Sequence, residues 1–114
     1  MPFINSRVSV SMSQGQKESL KENLGQAISL IPGKTEDWLM IEFADNCELY
    51  FQGTGDQPAA FLEVKVFGGF SDEAANKMTA AICGLYEEEL QIKKDRIYVK
   101  YEEVSKWGWN GKNF

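Results

Sequence analysis

The sequence contains no histidine in 114 residues. This absence excludes Ser-His-Asp and Cys-His catalysis and the common zinc sites, all of which depend on imidazole. The two cysteines, Cys47 and Cys83, form no CxxC motif and predict a protein of a reducing compartment. Catalytic acids and bases would therefore have to be carboxylates, lysines, tyrosines or an N-terminal amine.

Basic residues and long apolar runs are also scarce. The net charge is −5, and no basic stripe is present to neutralise phosphates, so we expect no nucleic-acid partner. No apolar run reaches the length of a membrane span, and no basic-then-apolar signal sequence opens the chain. We therefore expect a cytoplasmic protein without a membrane partner, and secretion without a signal peptide stays open as an alternative.

The spacing of apolar residues predicts alternating strands and helices. Ser13 and Ser71 each precede a helical apolar pattern and are the expected N-caps, with Gln16 as the capping-box partner of Ser13. Pro32-Gly33 ends the first helical pattern. Alternation or apolar runs predict strands at residues 3–10, 38–43, 47–52, 61–67 and 96–101.

The two halves of the chain superpose at a shift of 58 residues. Phe3 falls on Phe61 and Ser13 on Ser71, and the later strands follow in the same register. Such a period, repeated twice, indicates duplication of one βαβ unit whose crossover helix makes its two strands parallel. We expect a single domain over residues 1–114, with pseudo-repeats at about 2–58 and 59–114.

The predicted fold class is α+β. It consists of a four-stranded mixed sheet with two helices on one face, plus short C-terminal and interface strands. Two helices on one face cannot bury every apolar residue of the strands. In particular, they could not bury all of Phe3, Ile41, Val64 and Val99. A bare, partly apolar sheet face predicts oligomerisation.

Pro2 opens the first predicted strand. If Met1 is removed, Pro2 becomes a secondary amine at the start of a buried strand. An α-amino group titrates near 7.7–8.0 in water, and burial or a nearby cation lowers that pKa. Such a base suits proton transfer near neutral pH. On residue type alone, an incidental N-terminal proline is the alternative.

Several short motifs resemble, in order and register, the tautomerase superfamily, specifically the macrophage migration inhibitory factor and D-dopachrome tautomerase group. The resemblance covers the whole chain, although no single motif is specific. The motifs are Met1-Pro2, Gly33-Lys34, Phe51-x-Gly-x-x-x-x-Pro58, Cys83-Gly-Leu85, Asp95-Arg-Ile-Tyr98 and Gly108-Trp-Asn-Gly-x-x-Phe114. The resemblance implies a cofactor-free homotrimer, with sheets around a central channel and an active site at each subunit interface.

The resemblance also assigns roles to individual residues. Pro2 corresponds to the catalytic base and Lys34 to the lysine that binds the substrate carboxylate. Phe67 replaces an isoleucine whose backbone N–H contacts the substrate, and Tyr98 matches a pocket tyrosine of the neighbouring subunit. The remaining positions form the apolar wall: Trp38, which replaces a rim tyrosine, and Trp107, Trp109 and Phe114.

This chain departs from the family pattern at two places. A family asparagine beside the pocket tyrosine is replaced by Lys100, which adds a second cation on the face that carries Tyr98. A solvent-directed Lys100 that pairs with a surface glutamate is the equal alternative. The family CxxC motif falls on Ala59 and Leu62, so thiol oxidoreductase activity is not expected.

Two functions of different classes follow from the resemblance. The first is keto–enol tautomerisation of phenylpyruvate-type acids, an isomerase activity on a small 2-keto acid or enol. The second is cytokine-like signalling through a protein receptor, with a vestigial or secondary pocket. Purely structural roles are the alternatives for these residues. Lys34 would be a cation at a helix C-terminus, Tyr98 a sheet residue, and the tryptophans would pack the subunit interface.

Overall fold

Strands and helices follow one another in β-α-β order, twice along the chain. The computed structural model describes every residue from Met1 to Phe114. A short hairpin follows the second unit. The elements are β1 (Pro2–Val8), α1 (Gln14–Ala27), β2 (Met40–Ala44), β3 (Ala60–Phe67), α2 (Asp72–Leu90), β4 (Ile97–Val104), β5 (Gly108–Trp109) and β6 (Lys112–Asn113).

Serine caps begin both helices, as the sequence predicts. The Ser13 hydroxyl accepts a hydrogen bond of 3.1 Å from the amide of Gln16, whose side chain accepts one of 2.9 Å from the amide of Ser13. The Ser71 hydroxyl accepts one of 3.0 Å from Ala74. These bonds satisfy amides that a helix start otherwise leaves free. Neither helix is long and apolar enough to cross a membrane.

The four long strands form one mixed sheet in the order β2-β1-β3-β4. Strands β1 and β2 pair in parallel, as do β3 and β4, while β1 and β3 pair antiparallel at the centre. The second unit repeats the first at the predicted shift of 58 residues, since Gln14 and Asp72 open the two helices. The α+β fold with a duplicated βαβ unit is therefore confirmed.

The core lies between the sheet and the two helices, on one face. Alternate residues of β3 are buried, and Leu62, Val64 and Val66 are fully so. Tyr86 of α2 donates a 2.7 Å hydrogen bond from its hydroxyl to Ser6 of β1, which links helix and sheet inside the core. Burial raises the pKa of Tyr86 to about 12, so this hydroxyl remains a donor.

The opposite face of the sheet is open and partly apolar, as expected, but the strand register corrects which residues lie on it. Ile41, Val64 and Val99 all lie toward the helices, where Val64 is fully buried and the other two pack against the core. Because neighbouring strand residues alternate between faces, the open face instead carries Phe3, Met40, Phe61, Phe67 and Tyr98. Charged residues of the same face form an ion-pair network: Arg7, Glu63, Lys65 and Glu102.

The strand predicted at residues 47–52 is wrong for the isolated chain. The segment contains one isolated bridge, from Phe51 to Thr54, and no strand. Asn46 and Gln52 adopt positive φ angles of 54° and 53°, which interrupt an extended conformation near each end. Sequence alternation did not reveal these two backbone reversals.

Candidate active site

A cavity of about 560 Å³ opens beside the start of β1. A 3₁₀ turn over Glu36–Trp38, immediately before β2, forms one wall, and the β5–β6 hairpin forms another. Most of the lining is apolar, so the cavity suits a largely apolar ligand held by few polar groups. Its lining includes Pro2, Asp37, Trp38, Met40, Trp107 and Trp109.

The N-terminus lies in this cavity. Pro2 is buried as the first residue of β1, and Met1 lines the cavity next to it. With Met1 attached, the nitrogen of Pro2 is an amide, and the basic nitrogen is the amine of Met1. Burial lowers the pKa of the Met1 amine below its ordinary value, and the nearby positive charge of Lys34 lowers it further. The surroundings thus favour an uncharged amine.

Lys34 is held by the backbone of β3. Gly33 adopts a φ of +81°, a conformation that favours glycine, and so lets the chain turn sharply before Lys34. The Lys34 ammonium donates a 2.8 Å hydrogen bond to the carbonyl of Phe67. The amide of Phe67 in turn donates one of 3.0 Å to the carbonyl of Met1. These contacts place a cation beside the N-terminus, so Lys34 is more than a helix-end charge.

Aromatic rings form the wall on the hairpin side. Trp38 meets Trp109 edge to face, with ring centres 4.9 Å apart. Phe114 stacks nearly parallel to Trp109 and also lies 5.6 Å from the ring of Phe67. The hairpin turns at Asn110 and Gly111, whose φ angles of 53° and 89° suit a two-residue Asn-Gly turn. This turn positions Trp109. The sequence pattern alone did not identify it as a hairpin.

The two carboxylates of the 3₁₀ turn, those of Glu36 and Asp37, have different surroundings. Asp37 lines the cavity, whereas the Glu36 carboxylate occupies the space that a side chain on Gly25 of α1 would fill. Sequence reasoning missed Asp37, since an acidic residue beside a tryptophan has no distinctive pattern. The cavity therefore combines three tryptophans with one carboxylate.

Tyr98 and Lys100 lie elsewhere in the single chain. Both project from the open face of β4, two strands away from β1. Tyr98 is 57% exposed, packs edge to face on Phe51 and lines a separate cavity of about 110 Å³. Lys100 is exposed and lies opposite Glu63 without forming an ion pair. The chain alone brings neither residue to Pro2.

Arg96 is a second residue whose role the sequence did not reveal. Its side chain is buried, and the guanidinium lies 5.5 Å from the centre of the Phe51 ring. It donates four hydrogen bonds of 3.0–3.3 Å to backbone carbonyls, which fixes the loop before β3. The acceptors are Phe51, Thr54, Gln57 and Pro58.

Comparison with known proteins places this arrangement in a family. The family model for macrophage migration inhibitory factor (MIF) matches residues 1–114. Rat macrophage migration inhibitory factor is 27% identical over 117 residues, covering 100% of this chain and 97% of the rat protein.

Solved structures agree with that match. A Leishmania major MIF2 crystal structure superposes with a TM-score of 0.93 and 35% identity, covering 100% of this chain and 97% of the other. A homologue from Prochlorococcus marinus superposes with a TM-score of 0.88 and 31% identity, covering 98% of each chain. The chain therefore belongs to the macrophage migration inhibitory factor family.

Proposed function

We propose that this protein is a cofactor-free keto–enol tautomerase of phenylpyruvate-type acids, with the N-terminal amine of Pro2 as general base. The observation that carries the proposal is the position of the chain start: buried Pro2 opens β1 inside the tryptophan-lined cavity. Burial, and then the charge of Lys34, lower the pKa of the Met1 amine at this place. Once Met1 is removed, the amine of Pro2 takes over as the chain terminus beside the same groups. A base that is partly neutral near pH 7 can both accept and return a proton.

Removal of Met1 would also free a hydrogen-bond donor. The amide of Phe67 is occupied by the carbonyl of Met1 in the full chain, at 3.0 Å. Without Met1 that amide is available to a substrate oxygen, next to the ammonium of Lys34. One cleavage thus creates the base and uncovers a donor for the substrate.

Lys34 binds the substrate carboxylate in this proposal. Its ammonium has three donors, and one of them contacts Phe67. Lysine contacts a carboxylate as a compact point charge, without the paired geometry of arginine. The aromatic wall of Trp38, Trp107 and Trp109 would orient the substrate's apolar body and exclude water, which strengthens electrostatic interactions inside the cavity.

The proton transfers then need no metal or redox group. Pro2 removes a proton from the carbon next to the keto group, the electron pair moves onto the carbonyl oxygen, and the proton is delivered to that oxygen to give the enol. The reverse sequence gives the keto acid. Acid–base catalysis accounts for only part of the rate acceleration. The rest comes from holding the base close to the reacting carbon.

Tyr98 and Lys100 take part only if a second copy brings them to the cavity. We therefore propose a homotrimer in which the open face of β4, with Tyr98 and Lys100, lies against the Pro2 cavity of the neighbouring subunit. Strands β2 and β4 are the two edges of the sheet, and their unpaired backbone groups favour pairing with another chain.

The test is a phenylpyruvate assay on protein whose N-terminus has been sequenced. Turnover that depends on a free Pro2 supports the proposal, and inactivity of protein with a free Pro2 overturns it.

The second candidate is cytokine-like signalling through a protein receptor. It is favoured by the rat relative, which is named for inhibition of macrophage migration. Receptor signalling by protein with a blocked Pro2 would separate it from catalysis.

A further inference from the structure

All three tryptophans of the chain line the cavity that contains Pro2. Trp38 and Trp109 meet at right angles, with their ring centres 4.9 Å apart, and both line the cavity with about half of each side chain exposed. The face of an indole ring attracts cations through its quadrupole, more strongly than phenylalanine or tyrosine. Three indole rings in one cavity can therefore bind a cationic group as well as an apolar one.

Asp37, an exposed residue, lines the same cavity as these rings. It follows Glu36 on the same 3₁₀ turn, but only Asp37 lines the cavity, and it forms no ion pair within the chain. A carboxylate beside aromatic faces attracts a cation twice, through its charge and through the rings. It also repels a second carboxylate on a ligand.

We propose that Asp37 and the three tryptophans form a site for an organic ammonium group. This inference rests on the proposed tautomerase function and narrows its substrate class. The substrate would be a 2-keto acid whose carboxylate meets Lys34 and whose other end carries an ammonium group. Doubly anionic acids would be poor substrates because Asp37 repels the second charge.

The chemistry of the ammonium explains the choice of residues. Alkylated ammonium groups are weakly hydrated and lose little on leaving water, which suits aromatic contact. A carboxylate in the same cavity then adds a coulombic attraction that a neutral ligand of the same shape cannot use. The cavity should therefore distinguish charge more strongly than shape.

Choline and its uncharged carbon isostere, 3,3-dimethylbutan-1-ol, are the probes for this site. Binding of each is followed through the three tryptophan indole N–H signals in nitrogen-15 NMR spectra of the full-length protein. We expect choline to shift the indole signals and to bind about tenfold more tightly than the isostere, as cation–π contact and coulombic attraction together imply. Equal affinity of the two probes, or no shift with either, overturns the inference.

Two matched variants locate the effect. Asp37→Asn should weaken choline binding about threefold, the coulombic share of that preference, and leave the isostere unchanged. Glu36→Gln, on the same turn, should keep the wild-type preference for choline. The same spectra report whether each variant is folded, and the wild-type probe comparison stands without them. Equal choline affinity of Asp37→Asn and wild type would overturn the inference. Because the titration involves no turnover, its failure is distinguishable from failure of phenylpyruvate catalysis.

Discussion

The ammonium of Lys34 is connected to the start of the chain through the backbone of Phe67. Lys34 donates to the Phe67 carbonyl at 2.8 Å, and the Phe67 amide donates to the Met1 carbonyl at 3.0 Å. Phe67 is the last residue of β3 and follows Val66, which pairs with Pro2 at the start of β1. The cation therefore has a fixed position relative to the N-terminal amine.

Replacing Lys34 should change the titration of the catalytic amine. In Lys34→Met the positive charge that lowers the amine pKa is lost, so the apparent pKa of the pH–rate profile should rise toward the ordinary value of the free amine. It should remain below that ordinary value, because burial, the larger cause, persists. Activity of the variant should therefore fall most near neutral pH and recover as pH rises. Phenylpyruvate KM should also rise about tenfold through loss of a charged contact.

The control for this variant is Lys77→Met. Lys77 pairs with Glu73 on the exposed side of α2, far along the chain from the cavity. It should keep the wild-type pH profile and KM. An unchanged profile in Lys34→Met would mean that Lys34 does not act on the amine.

Arg96 should be a stability residue. Arg96→Met leaves four loop carbonyls without their donor, and we expect the free energy of unfolding to fall by about 2–4 kcal/mol. Arg96→Lys should recover only part of this, since an ammonium cannot reproduce the planar set of donors. Urea unfolding of the three proteins measures both differences. A loss under about 0.5 kcal/mol in Arg96→Met would show that water satisfies these carbonyls equally well.

The protein should be a trimer in solution. The two sheet edges, β2 and β4, are open in the single chain, and Tyr98 lines a different cavity from Pro2 within one chain, so a shared site needs another copy. Light scattering at micromolar concentration should give three times the chain mass of 12.9 kDa. A monomer mass would exclude a site shared between subunits.

Lys100 should raise catalytic efficiency near neutral pH through its charge. Brought to the cavity by a neighbouring subunit, it would lower the pKa of the Pro2 amine and stabilise an enolate oxygen. Lys100→Asn and Lys100→Met should therefore both raise the apparent pKa of the pH–rate profile. If both variants keep the parent profile, Lys100 is a surface residue that only faces Glu63 across the sheet.

Local signals were sufficient to predict most of the fold. The caps at Ser13 and Ser71 and the 58-residue repeat depend on residues close in sequence, and the structure confirms them. The strand at 47–52 failed because the backbone reverses at Asn46 and Gln52, which alternation does not detect. The open face is partly apolar as expected, but Ile41, Val64 and Val99 lie on the helix side, because the face that a strand residue occupies depends on the sheet register.

The candidate site was less accessible to sequence reasoning. Resemblance to a family indicated Pro2, Lys34 and the tryptophans, which the structure brings together around the chain start. Asp37 and Arg96 were missed because their roles depend on what surrounds them. One acid lines a cavity while its neighbour Glu36 packs on α1. Arginine bonded only to carbonyls has no sequence signature.

The most direct measurement of the central claim compares phenylpyruvate tautomerisation by three proteins with sequenced N-termini. They are the protein with a free Pro2, Pro2→Gly, and a protein with residues fixed ahead of Pro2. The account predicts full activity in the first and partial activity in the second, whose primary amine remains basic. In the third it predicts a loss of at least about 100-fold, the smaller contribution of a general base. Full activity in the blocked protein would contradict the account, because another group would then be the base.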